Sequence, residues 1–489
     1  MLPTEPSSSV SHALPSQQPD RIQKSALFAT LAPEWNDNIM PDVRERVLAS
    51  RCKVVVLDDD PTGTQTVYGL PVLTDWSVAA LQAELASELT AFYILTNSRS
   101  VPLAQAEALN EEIGLNLVKA ARANGVQRDF VVVSRSDSTL RGHFPGEVGA
   151  LAHALNTPFD AWLIIPAFIE GGRFTIDDVH YVAEADWLVP AGQTEFARDV
   201  VFGYHTSNLR EWIEEKTAGH VRAEQVASIS LDEIRQGGPN RVAEHLMTLT
   251  GGRMCIVNIA SAQDMQVFAS GLLQAEATGR HFLYRTAASF VQVRAGLTPR
   301  SLLRVEELNL SGGMGGLIVV GSHVPMTVRQ VAQLRAARNP ICLEADVRRM
   351  LDEGVRVNEI RQIAQSADEA LQRGDDVLIC TSHEVVTGRN PEESLAIAQH
   401  ISRSLIEIVR VIPSRPRYIL AKGGITSSDI ATEALGVKRA MVLGQILPGV
   451  PVWELGAESR YPGLTYIVFP GNVGGPNAIA DIVAQLSRE

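Results

Sequence analysis

The stretch KVVVLDDDPTG at residues 53–63 decides the fold, because a run of valine and leucine ends there in acidic and turn-forming residues. Such a run predicts a strand that is buried on both faces, as in a parallel sheet. Four more segments of the first half have the same form: 91–98, 129–137, 160–168 and 254–261. Residues 102–124 have helical spacing. Strands that alternate with helices predict an α/β fold built from parallel βαβ units.

A second series of strand-like segments follows residues 296–316, where the composition changes and the sequences GLTPR and SGGMGG occur. Its members are 316–323, 340–346, 376–384, 417–424, 439–444 and 465–472. The glycine-rich break predicts two domains, 46–300 and 301–489, each with a largely parallel sheet flanked by helices. Residues 1–45 are predicted to be a disordered leader and a lead-in segment, because the first 25 residues are rich in Ser, Pro and Gln.

Composition excludes several classes of function. The 489 residues are 45% hydrophobic and carry a formal net charge of −13, which argues against nucleic acid as the main partner. No apolar run reaches the roughly 18 residues that a membrane span needs, and the four cysteines form no C-x-x-C pair. We therefore expect a cytoplasmic protein without a membrane or nucleic-acid partner. The residues do not specify an oligomeric state, and a homo-oligomer is compatible with them.

Three adjacent acids, Asp58, Asp59 and Asp60, stand where the first strand ends. In a parallel α/β sheet, ligands bind at the carboxyl ends of strands. Three neighbouring carboxylates repel one another, so a metal ion, an arginine or protonation of one acid must compensate the charge. Such a cluster suits a Mg²⁺ site or a general base. The alternative is a solvated turn that is capped by an aspartate side chain.

Two further strand ends combine arginine with hydroxyl groups. Residues 134–143 read SRSDSTLRGH, and residues 96–100 read TNSRS. A polyhydroxylated acid needs this mixture, with Arg for its carboxylate and Ser, Thr and Asp for its hydroxyls. Helix N-caps with surface arginines are the alternative. A loop with Gly171, Gly172 and Arg173 offers one more polar contact, although a plain loop explains it equally well.

Three strand-to-helix turns of the second half are rich in small residues: 321–327, 422–429 and 471–477. Small residues let backbone N–H groups reach phosphate oxygens, and helix N-termini add a favourable dipole. An ordinary turn explains each of them alone, but three in one domain favour a nucleotide site. No G-x-x-x-x-G-K-[ST] sequence occurs, which excludes a P-loop enzyme.

Together these motifs resemble the four-carbon acid sugar kinase family, whose members phosphorylate threonate, erythronate or 3-oxo-tetronate with ATP. The family's D-D-x-T-G, K-x-D-S-T-L-R-G and T-N-S-R-S motifs are similar to residues 59–63, 135–142 and 96–100. Its G-S, G-G-x-T-S and G-N-x-G turns resemble residues 321–322, 423–427 and 471–474. The motifs follow one another in the family's order over roughly residues 50–489.

The resemblance implies a sugar-acid-binding N-terminal domain and a nucleotide-binding C-terminal domain that face one active-site cleft. It implies catalytic roles for Asp59 and Asp60, with Asp60 as the preferred base. The implied substrate-binding residues are Arg99, which holds the carboxylate, Arg135, Ser136, Asp137, Ser138, Thr139 and Arg141. The residues implied for ATP are Ser322, Gly423, Gly424, Ile425, Thr426 and Gly471. Mg²⁺ would bridge the ATP phosphates, and no metal ligand is implied.

The chain departs from the family pattern at three places. Its first loop reads DDDPTGTQTVYG, Arg135 stands where the family tends to have Lys, and Ile425 replaces a common acidic residue. The first two departures concern the substrate site, so the identity of the sugar acid is not predicted. The third concerns metal or ribose contacts at the nucleotide turn.

Two other functions are compatible with the sequence. Asp58, Asp60 and Thr62 also fit the D-x-D-x-T motif of HAD-like phosphatases, in which Asp58 would carry the phosphoryl group. Such an enzyme needs a downstream lysine, and there is none between Lys216 and Lys422. The second alternative is a non-catalytic nucleotide-binding effector on a kinase-like scaffold.

Overall fold

The computed structural model describes residues 20–122, 129–321, 324–382 and 391–487. In chain order the strands are β1 Ile22–Gln23, β2 Lys53–Asp58, β3 Leu70–Leu73, β4 Ala91–Leu95, β5 Phe130–Arg135, β6 Ala161–Ile165, β7 Arg173–Ile176, β8 Val179–Glu184, β9 Trp187–Pro190, β10 Ala227–Ile229, β11 Arg253–Val257, β12 Phe282–Thr286, β13 Leu317–Val320, β14 Ile341–Ala345, β15 Val377–Thr381, β16 Tyr418–Lys422, β17 Arg439–Leu447, β18 Val450–Leu455 and β19 Thr465–Phe469. The helices are α1 Lys24–Phe28, α2 Met40–Ser50, α3 Val78–Ala86, α4 Leu103–Arg122, α5 Gly146–Leu155, α6 Leu209–Lys216, α7 Leu231–Thr248, α8 Ala262–Ala277, α9 Ala288–Arg294, α10 Pro325–Arg338, α11 Val347–Leu351, α12 Glu353–Arg373, α13 Pro391–Val411, α14 Gly424–Asp429 and α15 Ala478–Leu486.

One large sheet organises both halves of the molecule, in the order β10-β11-β6-β12-β5-β2-β4-β3-β17-β18-β19-β16-β13-β15-β14. The eight strands from β10 to β3 run parallel, and so do the five strands from β19 to β14. The predicted α/β class is therefore confirmed.

The two parallel halves are joined by antiparallel pairing. Strand β17 pairs with β3 on one side and with β18 on the other, and β18 pairs with β19. The two predicted sheets are thus hydrogen-bonded into one. Segment 439–444 belongs to this antiparallel link and not to a parallel βαβ unit.

Strand β2 shows why the sheet is covered on both faces. Val54 and Val56 pack into one apolar cluster, while Val55 and Leu57 pack into a second cluster that contains side chains of α3, α4 and α5. Successive side chains of a strand point to opposite faces, so a strand covered on both sides must be apolar at every position. At its carboxyl end, the acidic residues emerge at the edge of the sheet.

A second, four-stranded antiparallel sheet has the order β1-β9-β8-β7. Its strands lie within residues 22–23 and 173–190, which the sequence patterns did not assign to strands. Of the predicted leader and lead-in segment, residues 1–19 lie outside the described residues, and β1, α1 and the start of α2 lie within 20–45. The domain limits at 45 and 300 stay predictions. None of the helices in the described part of the chain combines the length and apolarity that crossing a bilayer requires.

Candidate active site

A cleft of about 610 Å³ lies where the carboxyl ends of strands from both halves of the sheet meet. The N-terminal half contributes the loops after β2, β4, β5 and β6, the start of β7, the turn after β9 and the residue after β12. The C-terminal half contributes the turns after β16 and β19. The lining residues are Asp59, Asp60, Thr62, Gln65, Asn97, Arg99, Ser100, Arg135, Asp137, Ser138, Thr139, Arg141, Pro166, Phe168, Arg173, Phe196, Ala287, Gly424, Ile425, Pro470, Gly471, Asn472 and Val473. The fold therefore brings most of the predicted site residues into one cavity.

Two arginines compensate the three adjacent acids. Arg135 Nη1 lies 3.3 Å from Asp58 Oδ1 and 3.6 Å from Asp59 Oδ1. Arg99 Nε lies 3.7 Å from Asp59 Oδ2, and its Nη2 is paired with Asp60 Oδ2. Both arginines line the cleft, as predicted, but their guanidinium groups are engaged by carboxylates of the chain. The contact predicted between Arg99 and the substrate carboxylate would have to compete with these ion pairs.

Asp58 is turned away from the cleft. A Cβ atom on Gly63 would lie 2.1–2.5 Å from the atoms of the Asp58 carboxyl group, so only glycine leaves room for it. Burial raises the pKa of Asp58 to about 8, against the attraction of Arg135. Burial thus favours the protonated form of Asp58, while Arg135 favours its ionised form.

Asp59 and Asp60 differ in how their oxygens are used. Asp60 accepts hydrogen bonds from the backbone N–H of Thr62 at 2.8 Å and from the Thr62 hydroxyl, and it is paired with Arg99. Although burial opposes ionisation, Arg99 and these hydrogen bonds hold the pKa of Asp60 below its usual value. Among the described residues, neither oxygen of Asp59 has a hydrogen-bond donor, and burial raises the pKa of Asp59. Of the two, Asp59 is the one whose oxygens accept no hydrogen bond, although Arg99 and Arg135 lie 3.6–3.7 Å from them.

The loop that holds these acids is fastened to both halves of the molecule. Residues 61–66 form a 3-10 turn. The Thr66 hydroxyl donates to the carbonyl of Ala288 at 3.0 Å, within the N-terminal half. Trp453 Nε1, on β18 of the C-terminal half, donates to Thr64 Oγ1 at 3.1 Å. The acidic loop is thus positioned by the junction between the halves.

The segment 136–141 places its residues at different depths. Ser138, Thr139 and Arg141 line the cleft as predicted. Asp137 also reaches it, but its carboxylate is paired with the buried Arg285 on β12 and accepts a hydrogen bond from Leu140 N at 3.0 Å. Asp137 therefore shapes the loop.

Ser136 is not one of the residues that line the cleft. Its hydroxyl lies 2.8 Å from that of Ser134, behind the cavity wall. A direct contact between Ser136 and a ligand in the cleft is therefore not supported by its position.

Arg173 and two aromatic residues are the parts of the site that the sequence patterns underrated. The guanidinium carbons of Arg141 and Arg173 lie 4.9 and 5.3 Å from the ring centroid of Phe196. The guanidinium carbon of Arg173 also lies 6.0 Å from the ring centroid of Phe168. Arg141 is paired with Asp199 at 3.1 Å. Arg173 donates to Thr139 Oγ1 at 3.3 Å and has no carboxylate partner among the described residues.

The electrostatics at this end of the cleft favour an anion. Burial and the neighbouring charge of Arg141 lower the pKa of Arg173, and a bound carboxylate would relieve both effects. The only sequence signal for Arg173 was the pair of glycines before it.

The C-terminal wall is built from backbone and small residues. Gly424, Ile425 and Gly471 line the cleft as predicted. A Cβ atom on Gly424 would lie 3.0 Å from Asp60 Oδ2, so the acidic loop and the glycine turn are in contact.

The other residues predicted for ATP lie behind this wall or cannot be placed. Gly423 and Thr426 are not among the lining residues, and the Thr426 hydroxyl packs against Gly321, where a Cβ atom would lie 2.3 Å from it. Ser322 lies outside the described residues.

Lys422 connects the two glycine turns of the C-terminal wall. Its Nζ donates to the carbonyl of Pro470 at 2.7 Å and lies 3.8 Å from the ring centroid of Phe469. Burial lowers the pKa of Lys422 to about 7. The side chain thus ties the turn after β16 to the turn after β19.

No group of three or more His, Cys, Asp or Glu side chains in the described part of the chain is arranged to hold a metal ion. The acids of the cleft are engaged by arginine instead. These residues therefore do not form a preassembled Mg²⁺ site, and a cation that enters with its own phosphate ligands is the kind that fits.

Two family models match the chain. One describes a sugar-binding N-terminal domain and covers residues 54–294, and the other describes a nucleotide-binding C-terminal domain and covers residues 317–479. Together they cover most of the chain and divide it where the glycine-rich break was noted.

Two relatives and one solved structure are similar to the chain over most of its length. The D-erythronate kinase of Heliobacterium modesticaldum is 25% identical over 371 residues, which is 72% of this chain and 76% of that protein. The 3-oxo-tetronate kinase of Cupriavidus necator is 25% identical over 427 residues, 82% of this chain and 87% of that protein. A crystal structure from Salmonella typhimurium LT2 is similar with a TM-score of 0.63 and 19% identity, over 88% of this chain and 98% of that one. The last likeness concerns the fold alone.

Proposed function

The chain belongs to the four-carbon acid sugar kinase family, and we propose that it transfers the γ-phosphoryl group of ATP to the terminal hydroxyl of a four-carbon sugar acid, of the threonate, erythronate or 3-oxo-tetronate class. The observation that carries the proposal is the contact between Asp60 and Gly424. It brings an acid-rich loop and a phosphate-type glycine turn together at one cavity, and phosphoryl transfer needs both within reach of one reacting centre.

The sugar acid would bind with its carboxylate at Arg141 and Arg173. Arg173 is a half-buried cation without a carboxylate partner among the described residues, and it lies beside the rings of Phe168 and Phe196. Ser138 and Thr139 stand beside the two arginines and suit the substrate hydroxyls. Arg99, for which the sequence predicted this contact, is instead paired with Asp59 and Asp60 of the acidic loop.

Asp59 is the best candidate for the base. The substrate hydroxyl oxygen would attack the γ-phosphorus of ATP, the bond to the β-γ bridging oxygen would break, ADP would leave, and the hydroxyl proton would pass to Asp59. A base needs free lone pairs and an affinity for the proton, and Asp59 has both because its oxygens accept no hydrogen bond and burial raises its pKa. Asp60, with its lowered pKa, is better suited to hold Arg99 and the turn at Gly424.

ATP would lie along the C-terminal wall, with its phosphates at the backbone of Gly424 and Gly471. Mg²⁺ would enter with the nucleotide and neutralise phosphate charge. Ile425, whose side chain is 54% exposed, stands where ribose or base contacts are expected. We also keep the expectation of a cytoplasmic protein that acts on small molecules and not on nucleic acid or membranes.

A panel of sugar acids, each incubated with ATP and Mg²⁺ and assayed for ADP release, tests the proposal. Turnover with at least one four-carbon acid is the expected result. ATP binding without turnover on any of them would favour the non-catalytic effector. Phosphate release from a phosphorylated sugar acid without nucleotide would favour the phosphatase, which the orientation of Asp58 away from the cleft does not support.

A further inference from the structure

The turn after β19 is fastened to helix α10 through its backbone carbonyls. Gln330, a completely buried residue of α10, directs its amide nitrogen Nε2 at three of them. The acceptors are the carbonyl oxygens of Val473 at 3.0 Å, Gly474 at 3.4 Å and Gly475 at 3.0 Å. Because three acceptors surround this end of the amide, it must be the end that carries the N–H groups.

Two further side chains hold the first part of the same turn. The hydroxyl of Thr327, also on α10, donates to the carbonyl of Gly471 at 3.3 Å. Lys422 Nζ donates to the carbonyl of Pro470 at 2.7 Å. Both donors are buried, with at most 1% of the residue exposed. With the three acceptors of the amide, five carbonyls of residues 470–475 are thus directed at donors inside the protein.

The direction of these carbonyls fixes the direction of the backbone N–H groups. In a trans peptide, the C=O of one residue and the N–H of the next point to opposite sides, and the peptide bonds of this turn are trans. The N–H groups of Gly471 and Asn472 therefore point away from the buried donors, and both residues line the cleft. Neither group donates a hydrogen bond to another described residue, so both are available to a ligand.

The chemistry of this wall fits phosphate. Successive N–H groups that face one side form an anion site, and Gly471 has no side chain that would keep an oxygen at a distance. Among the described residues, none that lines the C-terminal side of the cleft is charged. A phosphate at this wall therefore depends on neutral donors such as backbone N–H groups. The arginines proposed for the substrate carboxylate, Arg141 and Arg173, belong to the N-terminal half of the lining.

We propose that Gln330 and Thr327 are positioning residues for the nucleotide: by holding the carbonyls of the turn inward, they aim the N–H groups of Gly471 and Asn472 at a phosphate group of ATP. The proposal rests on the kinase function proposed above and extends it to residues that do not line the cleft. Without these donors, the peptide units of the turn are free to rotate. Carbonyl oxygens would then face the cleft and repel the phosphate oxygens.

The decisive experiment measures the Kd for ATP by isothermal titration in the wild type, Gln330→Met and Gln333→Met. Met keeps the length of the side chain but cannot donate a hydrogen bond. Gln333 lies on the same helix and is exposed, so it controls for the loss of a glutamine from α10. We expect the Kd to rise about tenfold in Gln330→Met and to stay unchanged in Gln333→Met. An unchanged Kd in a folded Gln330→Met would overturn the proposal.

Steady-state kinetics separate positioning of the turn from a general loss of structure. With the sugar acid found in the panel, Gln330→Met should raise the KM for ATP and leave the KM for the sugar acid as in the wild type. This is because the sugar acid is assigned to the N-terminal half of the lining. An equal rise of both KM values would show that the whole cleft is disturbed and would refute the specific role of Gln330.

Thr327→Val is the second variant and decides the matter if Gln330→Met does not fold. It removes one donor to the turn at nearly constant side-chain size, and we expect the Kd for ATP to rise about threefold. An unchanged Kd in Thr327→Val would then overturn the proposal. ATP binding by the wild type without turnover on any acid would count against the kinase function alone. Turnover by the wild type with unchanged ATP affinity in both variants would count against the positioning role alone.

Discussion

The two walls of the cleft are built on different physical principles. The acidic loop of residues 58–66 is held by side chains: ion pairs to Arg99 and Arg135, and a hydrogen bond from Trp453. The glycine turn of residues 423–426 presents backbone, and its one exposed large side chain is Ile425. The charged surroundings of the acidic loop determine which of its acids is protonated. The exposed backbone of the glycine turn allows close approach to phosphate. The two walls should therefore respond to different kinds of substitution.

The largest effect is expected from Asp59→Asn in the acidic loop. Removal of the base should lower kcat by about 10²–10⁴-fold, while ATP binding and the circular dichroism spectrum stay unchanged. Asp60→Asn is the matched variant and should reduce kcat less, since Asp60 serves to hold Arg99 and Thr62. If Asp60→Asn is the more damaging of the two, Asp60 is the base, as the family resemblance first implied.

The next largest effect is expected at Arg173, in the part of the cleft whose electrostatics favour an anion. Arg173→Gln removes a half-buried charged contact to the proposed carboxylate, which should raise the KM for the sugar acid by about 10–100-fold. The KM for ATP should not change, because Arg173 belongs to the N-terminal half of the cleft lining and the glycine turn to the C-terminal half. Arg198→Gln, at an exposed position on a nearby turn, is the control and should leave both constants as they are. An equal change in both KM values after Arg173→Gln would remove Arg173 from the carboxylate site.

In the glycine turn of residues 423–426, the most specific test is the addition of a single methyl group. Gly424→Ala would place a Cβ atom 3.0 Å from Asp60 Oδ2 and should raise the KM for ATP by about three- to tenfold. Gly475→Ala is the control, because nothing lies within 4 Å of a Cβ atom there. Isothermal titration with ATP separates the binding effect from turnover. Unchanged ATP affinity in Gly424→Ala would show that the turn does not approach the phosphates closely.

The smallest effect concerns stability. The folded-state pKa of Asp58, about 8, lies above its unfolded value near 4, so the contribution of Asp58 is complete below pH 4 and is lost as pH rises to 8. Asp58→Asn cannot ionise, and its melting temperature should therefore fall less than that of the wild type between pH 5 and pH 8. We expect a difference of only a few degrees. Parallel curves for the two proteins would show that Asp58 ionises normally.

Much of the fold was readable from local pattern. Apolar runs such as 53–57 and 465–469 predicted their strands, because a strand buried on both faces needs an apolar residue at every position. Strand β12 was missed: it reads FLYRT, and its Arg285 breaks the apolar pattern. That arginine is tolerated in the sheet because it is paired with Asp137 and lies 4.9–5.1 Å from the rings of Trp212 and Phe144. Only the folded chain supplies those partners.

The sequence predicted which residues form the candidate site better than it predicted what each of them does. Strand-end motifs singled out Asp59, Asp60 and Ser138, and all three line the cleft, because the carboxyl ends of parallel strands converge. The same reasoning placed Ser136 on the substrate and Arg99 on its carboxylate. It could not reveal that the Ser136 hydroxyl lies behind the cavity wall, 2.8 Å from that of Ser134, or that Arg99 is engaged by acids about 40 positions earlier in the chain.

The sequence by itself determined the α/β class, the family and the two chemical halves of the site, because each depends on short segments whose periodicity and residue types act locally. The tertiary structure alone decided how the charges are shared. Whether Asp58, Asp59 or Asp60 holds a proton depends on burial and on the distances to Arg99 and Arg135, and electrostatic energies change steeply with both. The three adjacent aspartates at residues 58–60 are identical in sequence, and only their surroundings in the folded protein make them chemically different.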